Sequence, residues 1–154
     1  MHDEDNPKDL VDKVASESLH FGSHRRSEIL QIETKDVPLD KIDEVDVNFP
    51  HPTKRHAEGF SHKAPGCAKS TFRKHTAQFS EKVDKKSRFL KSMSSKSGVR
   101  HQNYGVSNAS KLAKRMAVWL GKDASKCTAH SFRRSAATSL ENEVSSTVSF
   151  HDGR

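Results

Sequence analysis

The segment that says most about the architecture reads TAHSFRRSAATSL and spans residues 128–140. Thr128 is a residue type favoured at helix N-caps. Apolar residues recur after it at helical spacing, at Phe132, Ala136, Ala137 and Leu140. We therefore predict a helix that is capped by Thr128 and buries these four apolar residues.

Two cations project from this predicted helix. His130 and Arg133 lie three residues apart, so both side chains leave one side of the helix. There an imidazole and a guanidinium can converge on a single anion, and a phosphate group suits that pair of donors. The alternative interpretation is a capped amphipathic helix with ordinary surface cations.

The charges are unevenly distributed along the chain. Residues 1–50 hold 6 Lys/Arg against 13 Asp/Glu, whereas residues 51–154 hold 21 against 7, and the formal net charge of the 154 residues is +7. A basic block of this size favours a polyanionic partner. We expect nucleic acid rather than an acidic membrane, because no basic amphipathic helix with a large apolar face is evident.

Composition and cysteine usage limit the class of protein. Only 32% of the residues are apolar, which predicts one domain with a small core and long polar connections. Cys67 and Cys127 are far apart and form no C-x-x-C pair, so we expect a reducing intracellular compartment and no structural disulfide. No apolar run is long enough to cross a bilayer, which predicts a soluble protein with no membrane partner.

A group of histidines and one cysteine invites comparison with a zinc site. Its members are His51, His56, His62, Cys67 and His75. Their spacings match no paired zinc arrangement. We predict scattered solvent histidines and no bound metal.

The first half of the chain predicts one helix and two strands. Asn6 and Pro7 are suited to begin a helix that ends at Gly22. The apolar residues expected on its buried side are Leu10, Val11, Val14, Leu19 and Phe21. Alternation at Val45, Val47 and Phe49 predicts a strand, and a second strand is expected near Gly59 and Phe60.

The second half is expected to hold long connections and one clear helix. Residues 61–87 predict a long loop with one helix around Thr71–Lys82, residues 88–90 a short strand, and residues 91–103 a basic loop. A helix capped by Ser107 or Asn108 should end at Gly121. Its predicted inner residues are Leu112, Ala113, Met116, Ala117 and Leu120, and its predicted outer residues are Lys111, Lys114 and Arg115.

Two motifs resemble a known family. HSFRRSAAT, residues 130–138, resembles the second catalytic box of the tyrosine recombinases, and most closely that of the eukaryotic Crypton-type branch. Ala129 stands where those proteins usually have glycine. GSHRRSEILQIETKDV, residues 22–37, resembles the first box, with Arg25 at the position of the first catalytic arginine and Glu28 at that of its partner glutamate.

The resemblance implies a fold, a partner and a set of site residues. The implied fold is mixed α+β and mainly helical, with a small antiparallel sheet whose turn carries a lysine to DNA, for which Lys54 is the candidate. The implied catalytic residues are Arg25, Lys54, His130 and Arg133, and the implied nucleic-acid-binding residues are Arg25, Lys54, Arg133 and Arg134. In that family two arginines clamp the scissile phosphate, histidine and lysine handle protons, and a tyrosine attacks without a metal or any other cofactor.

The nucleophile has no counterpart in this chain. Its single tyrosine, Tyr104, precedes the second box, whereas the family's tyrosine follows it. We expect a recombinase-like domain over residues 1–140, poorly matched at 59–86, and a divergent tail at 141–154. The expected function is DNA binding in recombination or integration, without strand exchange by this chain alone, and the expected location is the nucleus.

Two alternatives to this function stay open. One is an active strand-exchange enzyme whose tyrosine is supplied in trans or is missing from this chain. The other is a non-catalytic basic interaction module or a gene relic. DNA is the expected partner of the recombinase-like domain, and a homo-oligomer is left open.

Overall fold

The computed structural model describes residues 6–22, 24–39, 44–49, 58–78, 87–94, 98–128 and 130–149. Within these ranges the chain is mainly helical and has two small antiparallel sheets. The helices are α1 (Pro7–Gly22), α2 (Arg26–Ile29), α3 (Gly66–Ala77), α4 (Val106–Trp119) and α5 (Ser131–Ser149). The strands are β1 (Glu44–Phe49), β2 (Phe60–Pro65), β3 (Lys91–Ser94) and β4 (Gly98–Asn103). The predicted fold class is confirmed.

Helix α1 lies at the centre of the molecule and has the predicted bounds. The Asn6 side chain accepts a hydrogen bond from the Lys8 amide at 3.0 Å and so caps the helix. Its buried apolar residues are Leu10, Val11, Val14, Ala15 and Leu19. The helix contacts α2, α3, α4, α5, β2 and β3, so it sets the position of the other elements.

The predicted hairpin of β1 and β2 is present. The two strands are antiparallel, with Val47 paired with His62 and Val45 with Ala64. Val47 and Ala64 are buried, which attaches the hairpin to the core. Lys54 belongs to residues 50–57, which lie outside the described residues.

The long loop predicted over residues 61–87 is wrong where strand β2 and the start of helix α3 stand, whereas the helix predicted around Thr71–Lys82 is present but begins earlier, at Gly66, and ends at Ala77. Residues 79–86 lie outside the described residues. Ala68, Phe72 and His75 form the buried side of α3 at helical spacing. His75 is 0% exposed, and its Nε2 lies 3.1 Å from the Phe89 carbonyl oxygen. It is therefore a core residue rather than the expected solvent histidine, and an apolar stripe that includes an imidazole is hard to recognise from sequence.

The predicted strand at residues 88–90 and the basic loop at 91–103 are also wrong. Arg88 forms only an isolated bridge to Glu33, and the strands are β3 and β4, which pair as a hairpin. Lys91 is 7% exposed and its Nζ donates to Asn103 Oδ1 at 3.0 Å. A lysine at a buried strand position, paired with Asn103, hides the strand pattern in the sequence.

Helix α4 is confirmed in extent and partly corrected in its faces. It begins at Val106 with Gly105 at the N-cap, slightly earlier than predicted, and Gly121 follows it at φ +64°, the left-handed conformation that suits glycine. Ala109, Leu112, Ala113 and Ala117 are buried. Leu120, predicted inside, is 66% exposed.

Arg115 of α4 was predicted to face solvent, and it instead joins a buried cluster with Asp12 and Tyr104. Its Nε and Nη2 donate to the two carboxylate oxygens of Asp12 at 2.5 and 2.7 Å, and the Tyr104 hydroxyl donates to Asp12 Oδ1 at 2.5 Å. Asp12 is 2% exposed and Tyr104 is 4% exposed. We call these three residues the α1–α4 brace, because they join α1 to α4.

Helix α5 differs in its cap and in its buried side. Thr128 does not supply the capping oxygen; its amide donates to Ser131 Oγ at 2.9 Å. Phe132 packs against the core and Ala136 is buried, as predicted, but Ala137 is exposed. The helix continues through residue 140 to Ser149, and the side chain of Leu140 is not among those described.

Candidate phosphate-binding site

Arg25 stands at the N-cap of the short helix α2. Its backbone is extended, with φ −82° and ψ 154°, and its amide donates to Glu28 Oε2 at 2.7 Å. Arg25 Nη1 lies 3.6 Å from Glu28 Oε1, and the arginine side chain is 33% exposed. Glu28 therefore restrains both the backbone and the guanidinium of Arg25, as the sequence suggested, and leaves the guanidinium accessible.

His130 and Arg133 stand at the beginning of α5. The His130 carbonyl oxygen accepts from the Arg134 amide at 3.1 Å, so His130 immediately precedes the first helical turn. His130 is exposed and Arg133 is half-buried. Phe132, between them, packs against the core and fixes the start of the helix.

A cavity of about 300 Å³ brings these two segments together. Arg25, His130 and Arg133 all line it, as the sequence predicts for residues that meet one anion. Arg26 from α2 also lines the cavity, and Leu30 and Val106 supply apolar wall. Three arginines and a histidine around one opening form a set of donors suited to a phosphate, because guanidinium groups give it directed hydrogen bonds.

A buried histidine pair supports the floor of the cavity beside Arg25. His24 Nε2 lies 2.7 Å from His62 Nδ1, so a single proton joins the two rings. Burial, together with repulsion from His62, lowers the pKa of His24 to about 3, and burial lowers the pKa of His62 to about 4 against the attraction of Asp46. Both rings are therefore neutral at pH 7 and add no charge to the site.

Glycine at position 22 is needed for this pair. A Cβ built on Gly22 would lie 1.9 Å from His24 Nε2 and 2.7 Å from His62 Cε1. His24 Nδ1 lies 3.9 Å from Glu28 Oε2, so the pair also adjoins the carboxylate that restrains Arg25. The hairpin strand β2, the end of α1 and the start of α2 are thus connected at one point.

Sequence reasoning selected only part of this site. The structure brings Arg25, His130 and Arg133 together, and their roles remain predictions. Arg134 is exposed and does not line the cavity, and Lys54 lies outside the described residues. Arg26 and His24 were missed, although the doublet Arg25-Arg26 at the start of a helix was a visible signal.

Metal binding and membrane insertion would each require a recognisable feature of the structure. Within the described ranges, no group of three or more His, Cys, Asp or Glu side chains is placed to hold a metal ion. No helix among the described residues is both long enough and apolar enough to cross a membrane.

Comparison with known proteins identifies the fold as that of a tyrosine recombinase catalytic domain. The chain is similar to the XerH site-specific recombinase bound to palindromic difH substrate in a post-cleavage complex, with a TM-score of 0.64 and 16% identity over 89% of this chain and 36% of that one. Its similarity to XerH in a pre-cleavage complex with difH gives a TM-score of 0.61 and 18% identity over 89% and 37%. The chain thus spans little more than a third of those recombinases, and at this identity the likeness is one of fold. No protein-family model and no curated protein sequence matches the chain.

Proposed function

We propose that the domain binds DNA through its backbone phosphates and acts in DNA recombination or integration. The observation that carries this proposal is the convergence of Arg25, His130 and Arg133, from opposite halves of the chain, on one cavity. The similar structures of XerH hold DNA substrates, which supports DNA as the source of the phosphate. The excess of basic residues after position 50 adds long-range attraction to the same polyanion.

The cavity residues have complementary roles toward a phosphodiester. Arg25 and Arg133 donate to its non-bridging oxygens and neutralise their charge. His130 is exposed beside them and is placed to donate a hydrogen bond or a proton to a bridging oxygen. Glu28 limits the rotamers of Arg25, so less side-chain entropy is lost when phosphate binds.

Strand cleavage by this chain alone is not part of the proposal. The single tyrosine of the chain, Tyr104, is 4% exposed and is bound to Asp12 in the α1–α4 brace. Burial, followed by the negative charge of Asp12, raises the pKa of Tyr104, which opposes formation of a nucleophilic phenolate. We propose a phosphate-binding domain whose nucleophile, if cleavage occurs, lies outside these 154 residues, either in trans or elsewhere in the same protein.

The finer assignment is to the Crypton-type branch and to the nucleus. This assignment is supported by the residues of the motifs at 22–37 and 130–138 and by the basic composition. Imaging a fluorescently tagged copy of the chain in eukaryotic cells tests the location. Exclusion from the nucleus would contradict it.

The test of DNA binding is a salt titration of affinity for a short duplex, followed by fluorescence anisotropy. The logarithm of the wild-type affinity should fall linearly with the logarithm of the salt concentration. Arg25→Ala and Arg133→Ala should each reduce the magnitude of that slope by about 1, because each removes one phosphate contact. Arg73→Ala is the matched control, since it removes the same charge from exposed α3 outside the cavity lining. Equal effects of all three variants, or no salt dependence, would contradict the proposal.

The same proteins can be incubated with a nicked suicide duplex and separated on a denaturing gel. We expect no covalent adduct with the wild type, because its tyrosine lies in the core. An adduct that disappears in Tyr104→Phe would show that the buried hydroxyl reaches DNA and would refute the absence of a nucleophile.

A further inference from the structure

The arginines of the cavity are not equally neutralised. Arg25 has Glu28 as an acidic partner at 3.6 Å. Arg26 and Arg133 contact no carboxylate within the part of the chain that the structure describes, and both line the cavity. A single phosphodiester carries one negative charge. Arg25 and Arg133 already supply the two guanidinium groups that clamp such a group, so Arg26 is in excess of what one phosphate needs.

The guanidinium of Arg26 is held in place by α4. Its Nη1 donates to Ser110 Oγ, and the Ser110 hydroxyl donates in turn to the Val106 carbonyl oxygen at 2.8 Å. Each hydroxyl proton can be donated once, so this chain of hydrogen bonds gives Ser110 one defined role, as acceptor for Arg26. An arginine has five N–H groups, and Arg26 is exposed, so most of its donors remain directed to solvent. The Arg26 guanidinium is therefore held in a position from which it can bind an anion outside α2.

The space beside Arg26 suits a longer ligand than one phosphate. The cavity volume of about 300 Å³ reaches the lower end of the range of small-ligand pockets. Val106, 65% exposed, and Leu30 supply apolar wall to the same cavity as the arginines. A lining that combines cations with apolar wall suits a nucleic-acid backbone, in which less polar sugars alternate with phosphates.

We infer that Arg26, held by Ser110, forms a second phosphate subsite, which binds the phosphodiester next to the one clamped by Arg25 and Arg133. This inference rests on the proposed DNA-binding function. The cavity then holds two consecutive backbone phosphates and so restrains the path of the strand across it. Like other phosphate contacts, this subsite positions the strand without reading its bases.

The test extends the salt titration with Arg26→Ala, Arg26→Gln and Ser110→Ala. Both Arg26 variants should lower the slope of log affinity against log salt by about 1, as Arg25→Ala does. Gln retains a donor for Ser110 but lacks the charge, so it separates loss of charge from loss of local structure. Ser110→Ala should weaken binding about two- to fivefold in the wild type and have no effect in Arg26→Ala, because it acts only through the arginine.

The outcomes distinguish this inference from the function on which it rests. A wild-type slope in both Arg26 variants, together with reduced slopes in Arg25→Ala and Arg133→Ala, would overturn the second subsite and leave DNA binding standing. An effect of Ser110→Ala that persists in Arg26→Ala would overturn the positioning role of Ser110. Absence of salt-dependent binding by the wild type would overturn both proposals.

Discussion

Gly22 occupies a position that has no room for a side chain. Because Gly22 has no side chain, the His24 ring occupies the space where a Cβ would lie and there hydrogen-bonds to His62. The reason for glycine is close approach by a side chain rather than an unusual backbone angle. A glycine at the start of the first motif is therefore required by the packing of the histidine pair beside the cavity.

Gly22→Ala should destabilise the protein by about 2–3 kcal/mol, because the new methyl group would overlap two imidazoles in a packed interior. Urea unfolding of both proteins measures the difference. Gly105→Ala is the matched control, since nothing lies within 4 Å of its Cβ position, and it should cost less than about 1 kcal/mol. Similar losses in the two variants would show that close packing at position 22 is not the cause.

At the residue scale, spacing identified the cations but not their support. His130 and Arg133 could be selected because helical periodicity alone puts them on one side of a helix. His24 could not be recognised, because its partner His62 is 38 residues away on a strand. The relation of Arg26 to Ser110 spans 84 residues and is equally invisible in a local pattern.

The α1–α4 brace shows how a charged cluster determines the geometry of two helices. Asp12 accepts two hydrogen bonds from Arg115 and one from Tyr104, so the carboxylate is well satisfied although it is buried. Tyr104 stands two residues before α4, whose first residue, Val106, lines the cavity. The brace therefore positions one wall of the phosphate site.

Tyr104→Phe should destabilise the protein by about 2 kcal/mol, because the hydroxyl donates a hydrogen bond to Asp12 and accepts one from Arg115 Nη2 at 2.9 Å, and both are lost while the Asp12–Arg115 pair stays intact. Asp12→Asn should cost about 3 kcal/mol, because Arg115 is then left without its carboxylate. Urea unfolding gives both values. DNA affinity of folded Tyr104→Phe should equal that of the wild type.

Equal losses of stability in the two variants would contradict the central role of the carboxylate. Reduced DNA affinity in Tyr104→Phe, at full folding, would show that the hydroxyl contributes to the site, either through the cavity wall at Val106 or by direct contact with DNA.

The helices that sequence predicted most accurately are those whose buried side is mostly aliphatic. In α1 and α4 the buried residues are mostly aliphatic and recur at helical spacing, so periodicity sufficed. In α3 the stripe passes through His75, and in β3 Lys91 is buried against Asn103, so polar residues occupy core positions. Only tertiary partners explain why those positions tolerate polar groups.

Across the whole molecule, buried neutral histidines make stability depend on pH. His24, His62 and His75 lie in different parts of the structure, and burial lowers the pKa of each, that of His75 to about 4 despite its hydrogen bond to Phe89. Unfolding returns them to ordinary values near 6.5. Between about pH 6.5 and 4 the unfolded chain binds protons that the folded chain does not.

The free energy of unfolding should therefore be highest above pH 6.5 and fall as the pH decreases toward 4, by up to about 1.4 kcal/mol per pH unit for each such histidine. Urea unfolding at successive pH values measures this slope. His75→Gln should reduce the slope of unfolding free energy against pH by the contribution of one histidine, up to about 1.4 kcal/mol per pH unit. His130→Gln, at an exposed position, should retain the wild-type dependence. Identical slopes in His75→Gln and the wild type would refute this source of acid sensitivity.

The central position of α1 has a consequence during protein synthesis. The ribosome makes this helix before its partners α4 and α5. Asp12 nevertheless has to contact Arg115, 103 residues later, and the helix also contacts α5, which follows Arg115 in the chain. Contacts of such high sequence separation form slowly, and they cannot form before the distant partners exist. At roughly 5–20 residues per second, a ribosome needs on the order of 5–20 s to supply them. Until then α4 and α5 cannot cover their share of α1, so that part of its apolar side stays exposed on the nascent chain, where chaperones can bind it.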